Sequence, residues 1–364
     1  MKILLAVFVP GVGDTIIKTP LIRAIGEAGF KLDVVCFNRN NILELIEGCS
    51  FISEIYEIPD KPSPEELKGF QGWLAAGKHD YLLCGHNDER GKWLHHAVRQ
   101  AGIKPVRHLL WANEADLSFY RKARRHIRQV LTKDIYVPWF NWQNDIDSYL
   151  NLFSAVSSKP VLRNYETFTA FSKPVSSKVL EEFGLKKHCY VTMQPGAADG
   201  NPTPKRWDPA SYRELAFDLL NSYPGLQVVI LGSDVDLPTI GEWPAHERLI
   251  NLCGRTTLYE VAGILKDAAV TLSGDSGLMH LSNAVRSPTI ALLGPTNYVK
   301  NLPLNGDVYP LFSKNESFMC MTRISEQEAA RKYPGFSAMT GITPYAVREK
   351  IDELLLKRFV NELE

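Results

Sequence analysis

The densest chemistry in the chain lies in residues 273–296, SGDSGLMHLSNAVRSPTIALLGPT. An apolar strand near Ala269–Ser273 runs into Gly274-Asp275-Ser276-Gly277 and then into a short amphipathic helix. A second strand, Thr289–Leu293, closes in Gly294-Pro295-Thr296. A strand that ends in small residues and opens into a helix presents unbonded N–H groups at the positive end of the helix dipole, which suits a phosphate. An ordinary βαβ turn is the alternative that this segment alone leaves open. His280, one turn past Ser276, reaches a ligand or serves the helix core.

Other polar residues fall at similar strand-to-helix turns. The first is Val9-Pro10-Gly11-Val12-Gly13-Asp14-Thr15. Gly11-x-Gly13 begins a dinucleotide fingerprint, but Ile16 stands where the third glycine belongs, and the second strand ends in Cys36-Phe37-Asn38 without a ribose-binding acid. That disfavours NAD. Asp14 is then either a helix cap or a catalytic base. Further on, Gln194-Pro195-Gly196 leads to Lys205-Arg206-Trp207-Asp208-Pro209, in which Asp208-Pro209 is a strong helix start. Lys205 and Arg206 therefore sit just outside a strand end, where a lysine can meet a diphosphate or simply face solvent. In Gly232-Ser233-Asp234-Val235-Asp236 a carboxylate is placed to accept ribose hydroxyls. Asp234-x-Asp236 and Asp145-x-Asp147 resemble metal-binding pairs, but Asp145 and Asp147 read better as the start of a helix, and no metal site is expected. A basic run, FYRKARRHIRQVLTK, carries Arg121, Lys122, Arg124, Arg125, Arg128 and Lys133 without an acid. It is either a solvated helix or a surface for an anionic acceptor or membrane. No stacking platform accompanies it, so nucleic acid is not expected.

The elements that would position these residues alternate along the chain. Strand-like runs at Ile3–Val9, Leu32–Phe37, Ile52–Ile58 and Tyr81–Cys84 are interleaved with helices near Thr15–Ala28 and Glu89–Ala101. His95 and His96 are placed on the surface of the latter. After a helix near Asn141–Ala155, the irregular stretch Ser157–Lys178 reads as a linker. A second series follows: Val191–Gln194, a helix over Pro209–Tyr223, Val228–Leu231, Leu249–Leu252, a helix over Thr257–Lys266, and then the segment 273–296. Such alternation predicts an α/β protein of two doubly wound, Rossmann-like domains, residues 1–170 and 171–364, facing each other across a cleft. A last helix near 344–363 packs on either domain.

Composition agrees with a globular protein. The 364 residues carry no formal net charge, are 45% apolar and 23% charged, and so generate no global field for a polyanion. Six scattered cysteines form no C-x-x-C and suit buried thiols of a reducing compartment. MKILLAVFVPGVGD is read as a first buried strand rather than a signal peptide, and no apolar stretch reaches the ~20 residues of a membrane span. The expected location is cytoplasmic.

In order, these segments resemble glycosyltransferase family 9, the ADP-heptose:lipopolysaccharide heptosyltransferases. PGVGDTIIKTPLIRAI is similar to the family's opening motif, QPGAADGNPTPKRWDPASYREL to its P-G-A…K-R-W segment, and LINLCGRTTLYEVAGILKDA and GDSGLMHLSNAVRSPTIALLGPT to its two C-terminal blocks. The resemblance implies the GT-B fold, with acceptor on the N-terminal domain and nucleotide sugar on the C-terminal one. It implies inverting transfer without an obligatory metal or other cofactor, from an ADP-sugar donor to an anionic glycolipid acceptor, with peripheral association at the inner face of the cytoplasmic membrane. Asp14 then becomes the general base and Lys205 the group that holds the departing diphosphate together with the Ser276 and Gly277 amides. Gly196, Arg206, Asp236, Leu252, Gly254, Asp275 and His280 complete the donor site, with Asp236 on the ribose and the Leu252–Gly254 backbone along adenine. Gly11, Gly13, Lys18, Arg121, Lys122 and Arg124 face the acceptor. Three departures, Lys18 in place of a histidine or apolar residue, Asp208 in place of the proline after Trp207, and a Gly/Pro-rich loop between Gly196 and Lys205, bear on donor and acceptor identity. Alternatives are the same scaffold carrying another activated sugar to another glycan or protein, or a non-catalytic nucleotide-binding scaffold.

Overall fold

The strand Lys2–Val7 (β1) reads KILLAV and buries Ile3 through Val7, the two-faced apolar run that a central parallel strand needs. The computed structural model describes residues 1–7, 11–37, 41–59, 61–85, 89–110, 134–140, 142–196 and 203–361. After β1 come helix α1 (Val12–Ile16) and, past a turn at Ile17 and Lys18, helix α2 (Thr19–Glu27). The sequence predicts one continuous helix here. It breaks because Pro20 has no N–H to offer the Ile16 carbonyl, which accepts the Thr19 hydroxyl at 2.7 Å instead.

The first unit, Met1–Tyr165, continues through β2 (Lys31–Cys36), β3 (Ile52–Glu57), α3 (Pro64–Gly77), β4 (Tyr81–Cys84), α4 (Glu89–Gln100), β5 (Lys104–Leu110), β6 (Ile135–Trp139) and α5 (Asp145–Ser154). Hydrophobic periodicity alone does not reveal α3. Its start is written in a capping box, in which the Ser63 hydroxyl accepts the Glu66 N–H and the Glu66 carboxylate accepts the Ser63 N–H at 2.7 Å. The strands pair in parallel in the order β3-β2-β1-β4-β5-β6. Leu4, Val35, Phe70, Leu74, Leu82, Leu94 and Val98 fill the core on one face. His95 is a correction to the surface reading of α4: it is only 2% exposed, whereas its neighbour His96 is exposed.

Residues 160–171 form neither helix nor strand. Within the first unit, Arg163 and Tyr165 donate to Asp147 on α5 at 2.7 and 2.8 Å. Within the second unit, Glu166–Glu364, the Thr167 hydroxyl donates to Asn283 at 2.8 Å.

The second unit runs α6 (Lys178–Glu182), β7 (Tyr190–Gln194), α7 (Pro209–Ser222), β8 (Gln227–Ile230), α8 (Leu237–Ile240), β9 (Leu249–Asn251), α9 (Leu258–Lys266), β10 (Val270–Gly274), α10 (Gly277–Ala284), β11 (Thr289–Leu293), α11 (Tyr298–Asn301), β12 (Val308–Phe312), α12 (Glu326–Lys332) and α13 (Pro344–Asn361). Its strands order as β12-β11-β10-β7-β8-β9, again all parallel. The last helix belongs here rather than on the first unit. Val347, Ile351, Leu354 and Leu355 join Val191, Leu215, Leu219, Val228 and Leu272 in one core, and Tyr223 donates to Asp352 at 2.8 Å.

Both sheets wind outward on one side of their first strand, return, and wind outward on the other. The order reverses between β1 and β4 in one unit and between β7 and β10 in the other. At such switch points the loops leaving adjacent strands diverge to opposite faces and open a crevice, where open α/β sheets bind ligands. No disulfide joins the six cysteines; Cys189 is exposed and the other five are buried. No described helix is long and apolar enough to cross a membrane.

Candidate active site

At the switch point of the first unit, Gly11 occupies the N-cap of α1 and Asp14 lies in the helix's first turn. Gly11 has extended backbone and no side chain, so the capping role considered for Asp14 does not apply. A Cβ on Gly11 would fall 2.4 Å from Asp14 Oδ2. Glycine is therefore what lets the carboxylate fold back over the turn. Gly11 and Gly13 act through their carbonyls, which accept the Thr15 and Ile17 N–H groups at 3.1 and 3.0 Å. Asp14 itself is half-buried, and its carboxylate has no hydrogen bond among the described residues.

Lys18 differs from its expected place on the acceptor surface. The residue is 0% exposed. Its ammonium donates to the Asp14 carbonyl and lies 4.8 Å from the centre of the Tyr149 ring. Burial pulls its pKa down, while the charges of Asp14 and Asp145 and the Cys84 thiol oppose that shift. Desolvation pushes the Tyr149 phenol well above its ordinary value, helped by the same two carboxylates. The remaining acceptor residues, Arg121, Lys122 and Arg124, lie outside the described residues.

In the second unit the switch point is closed by a side chain that spacing alone does not single out. Gln194, the last residue of β7, accepts the Ser273 and Ser276 hydroxyls on one oxygen, at 2.9 and 2.5 Å. Ser276 is the N-cap of α10, yet its hydroxyl makes no capping bond because Gln194 holds it. The first-turn amides of α10, beginning at Gly277, thus keep their N–H groups available at the positive helix end. Asp275 is held by the Asn301 amide at 2.9 Å, and His280, 8% exposed, is packed into α10.

Lys205 is brought to the same strand end, since its carbonyl lies 3.7 Å from a Cβ placed on Gly274. Its ammonium stands 3.8 Å from Glu326 on α12, and the Thr203 hydroxyl donates to that same Glu326 oxygen at 2.5 Å. Trp207 anchors the loop, donating to the Ile342 carbonyl at 2.9 Å and packing edge-on against Tyr212 at 4.8 Å. Asp208 caps α7 as the sequence indicates, accepting the Ala210 N–H at 2.8 Å.

Arg206 and Asp236, both expected at the donor, lie inside the second unit. Both are buried, at 5% and 2% exposure, and face each other at 3.8 Å. Asp236 accepts the Ser233 N–H and hydroxyl at 2.9 and 2.8 Å, so its carboxylate ties the β8 loop together and the exposed acid of that loop is Asp234. Gly196 is packed on this carboxylate, with an added Cβ only 2.2 Å from Asp236 Cγ. Gly254 has φ +68°, a Cβ placed on it would fall 3.1 Å from the Asp234 Cα, and its N–H donates to the Gly232 carbonyl at 3.0 Å. Leu252 is fully buried and contributes only backbone at its edge of the turn. Burial, with Asp236 adding to it, raises the Cys253 thiol to about 12 and keeps it neutral. Asp145 and Asp147 begin α5 behind the Asn144 cap, and no group of three metal-ligating side chains occurs among the described residues.

Known proteins share this architecture. Residues 110–332, which contain the whole constellation of the second unit, match the model of glycosyltransferase family 9 (heptosyltransferase). Lipooligosaccharide heptosyltransferase 2 of Haemophilus influenzae is 31% identical over 207 residues, 54% of this chain and 57% of that protein. Lipopolysaccharide heptosyltransferase 2 of Escherichia coli K12 is 31% identical over 172 residues, 45% and 46% of the two chains. The chain thus spans about half the length of these curated relatives. Among solved structures, a family 9 glycosyl transferase from Veillonella parvula has a TM-score of 0.73 at 17% identity, covering 98% of this chain and 97% of its own. The E. coli ADP-heptose heptosyltransferase II has a TM-score of 0.70 at 22% identity, with 98% and 99% covered. The E. coli heptosyltransferase WaaC, solved with ADP, has a TM-score of 0.65 at 16% identity, with 97% and 100% covered. The fold is the GT-B fold of these structures, and the chain belongs to glycosyltransferase family 9, the heptosyltransferase family.

Proposed function

We propose that the protein transfers heptose from ADP-heptose to a hydroxyl of a lipopolysaccharide inner-core acceptor, with inversion and without a metal. The observation that carries this reading is the Gln194–Ser276 bond, which leaves the first turn of α10 uncapped at a switch point that also holds Lys205. An amide-lined turn and a lysine suit a diphosphate leaving group. On the acceptor side, Asp14 removes the proton of the attacking hydroxyl. The new bond forms from that oxygen to the anomeric carbon as the bond from carbon to the β-phosphate oxygen breaks, and ADP departs with the electron pair. A positioned base contributes about 10²–10⁴-fold to such a step, and preorganised donors on the leaving group a comparable factor. Lys205 and the amides do the work that a divalent cation does elsewhere. The anionic acceptor is assigned to Arg121, Lys122 and Arg124, which would also bring the protein to the cytoplasmic face of an anionic membrane.

Calorimetry with ADP, UDP, GDP and NAD, with and without EDTA, followed by transfer from radiolabelled ADP-heptose to core acceptors, tests the proposal. Selective ADP binding that survives EDTA, together with transfer, is expected. Preference for UDP or GDP replaces the donor, and binding of none removes the reading as a nucleotide-sugar transferase.

A further inference from the structure

We propose that a groove between β6 and α5, at the outer edge of the first unit's sheet, binds a neutral sugar ring. The helix α5 has two polar faces. On one, Tyr149 meets Lys18 beside the switch point. On the opposite side Asp147, Asn151 and Ser154 follow one another at helical spacing. With Phe140, Trp142 and Gln143 of the loop that joins β6 to α5, they line a cavity of about 720 Å³. Sites for small molecules span roughly 300–1,000 Å³. The strand β6 ends the sheet, three places from β1, so the groove stands about 14 Å from the strand that leads to Asp14.

A polar helix face at a surface is ordinarily just solvated, but here the polar groups are held in place. Arg163 donates to Asp147 Oδ1 at 2.7 Å and to Asn151 Oδ1 at 2.5 Å, and the Tyr165 hydroxyl donates to the same Asp147 oxygen at 2.8 Å. Asp147 Oδ2 and Asn151 Nδ2, an acceptor and a donor one turn apart, are left without a hydrogen bond among the described residues. The Gln143 backbone N–H donates to the Phe140 carbonyl at 3.1 Å, while its side-chain Oε1 is buried with no partner among the described residues. An unbonded buried oxygen is costly, and rotation about the soft terminal torsion brings it to a hydroxyl in the groove. Beside these groups Phe140 and Trp142 stack at 4.7 Å between ring centres, with Trp142 still 66% exposed. An indole ordered in this way and left in water is a platform for an apolar face.

Charge selects the class of ligand. Among the described residues lining the groove, Asp147 is the one ionised side chain, and Arg163 neutralises it. Nothing there recruits a phosphate, and no unpaired acid recruits a cation. A pyranose ring fits what remains. Its adjacent hydroxyls both donate and accept, as the planar edges of Asp147, Asn151 and Gln143 require, and its C–H face covers the indole. The site takes no part in proton transfer or in holding a diphosphate, so it stands whichever way the roles of Asp14 and Lys205 fall.

The test uses the full chain labelled with ¹⁵N, in which the Trp142 indole signal is assigned by its loss in Trp142→Phe. The methyl glycosides of glucose, galactose, mannose and a manno-heptose are titrated in. At least one is expected to move that signal with half-saturation at about 1 mM, the affinity within reach of so few atoms. Trp142→Ala, at an exposed position that spares the core, is expected to weaken binding at least about tenfold and Asn151→Leu about fivefold, read by NMR on the sugar. No shift from any of the four up to about 50 mM overturns the proposal. So does binding that survives Trp142→Ala, and its loss in Asp14→Asn instead would put the sugar in the crevice of α1. Tighter binding of glucose 6-phosphate than of glucose overturns the neutral class. If n-octyl glucoside binds far more tightly than methyl glucoside while the identity of the sugar makes no difference, the groove is merely apolar and the proposal falls. A failure of the transfer reading leaves this titration unmoved.

Discussion

Two lysines stand at the two switch points, and they are used in opposite ways. Lys18 is entirely buried, with its ammonium on a backbone carbonyl and over a ring. The Lys205 side chain keeps 29% of its exposure and faces a carboxylate that is itself 46% exposed, 3.8 Å away. A buried charge that changes partner must cross a desolvation barrier, so Lys18 is part of the framework. A half-exposed pair at that separation is worth about 1 kcal/mol or less, so Lys205 can leave Glu326 for a better anion at little cost. Under the proposed function, the first unit offers a fixed field to the proton transfer assigned to Asp14, and the second an exchangeable charge to the diphosphate assigned to Lys205.

The strongest attempt to break this contrast is Asp14→Asn. Turnover is expected to fall at least about 10²-fold while the affinity for ADP stays within about twofold. Steady-state kinetics paired with calorimetry of ADP check both halves. A loss of ADP affinity equal to the loss of turnover would show that the two switch points do not divide their labour in this way.

The core of the first unit carries its own sensitivity to acid. His95 on α4 is buried with neither ring nitrogen hydrogen-bonded among the described residues, and desolvation, with Arg107 and Arg99 adding to it, lowers its pKa to about 3. The folded value lies below the unfolded one of 6.5, so the neutral ring is favoured by folding. That contribution is intact above pH 6.5 and is lost progressively as the pH falls toward 3. At pH 5 the loss is about 2 kcal/mol. His95→Leu is expected to shrink the stability difference between pH 7 and pH 5 by that amount, measured by urea unfolding at the two values. An unchanged difference would place the acid sensitivity elsewhere.

How much of this was legible beforehand depends on the range of the interactions. The βα alternation, the cap at Asp208 and the uncapped glycine-serine turn at 274–277 are local patterns, written within a few residues, and the folded chain keeps them. The break between α1 and α2 was equally local, since Pro20 announces it, but the helical period of the apolar residues masks it. Interactions that join distant segments left no such mark. Gln194 meets Ser276 across 82 positions and Thr203 meets Glu326 across 123, and no spacing rule links either pair. Arg206 and Asp236 stand at strand ends as their local sequence indicates, but that they are buried and face each other at 3.8 Å is again a long-range fact that no spacing rule announces. Lys18 was placed on the right turn and given the wrong direction, since whether a side chain at a helix joint runs up or down is decided by α5, far along the chain.

Lys205→Met sharpens the contrast from the ligand side. Losing one charge-assisted contact to a partly solvated phosphate is expected to weaken ADP binding about tenfold. The melting temperature should stay close to that of wild type, because the ion pair removed with it is a weak one. Lys18→Met should do the reverse, lowering the melting temperature while leaving ADP affinity alone. Matching effects of the two variants in both assays would erase the distinction.

The smallest effect belongs to Glu326. Its carboxylate accepts the Thr203 hydroxyl and draws Lys205 toward α12, so it competes with an incoming diphosphate for the same cation and repels it as a like charge. Glu326→Gln keeps an oxygen for Thr203 and removes the charge. ADP should therefore bind about threefold more tightly, with the gain shrinking as salt screens the repulsion. Calorimetry at 20 mM and 300 mM salt separates this from a structural effect, which would not depend on ionic strength. Weaker binding in the variant would mean that Glu326 holds Lys205 in the geometry the phosphate needs. The charge of the second unit would then be as much a part of its framework as Lys18 is of the first.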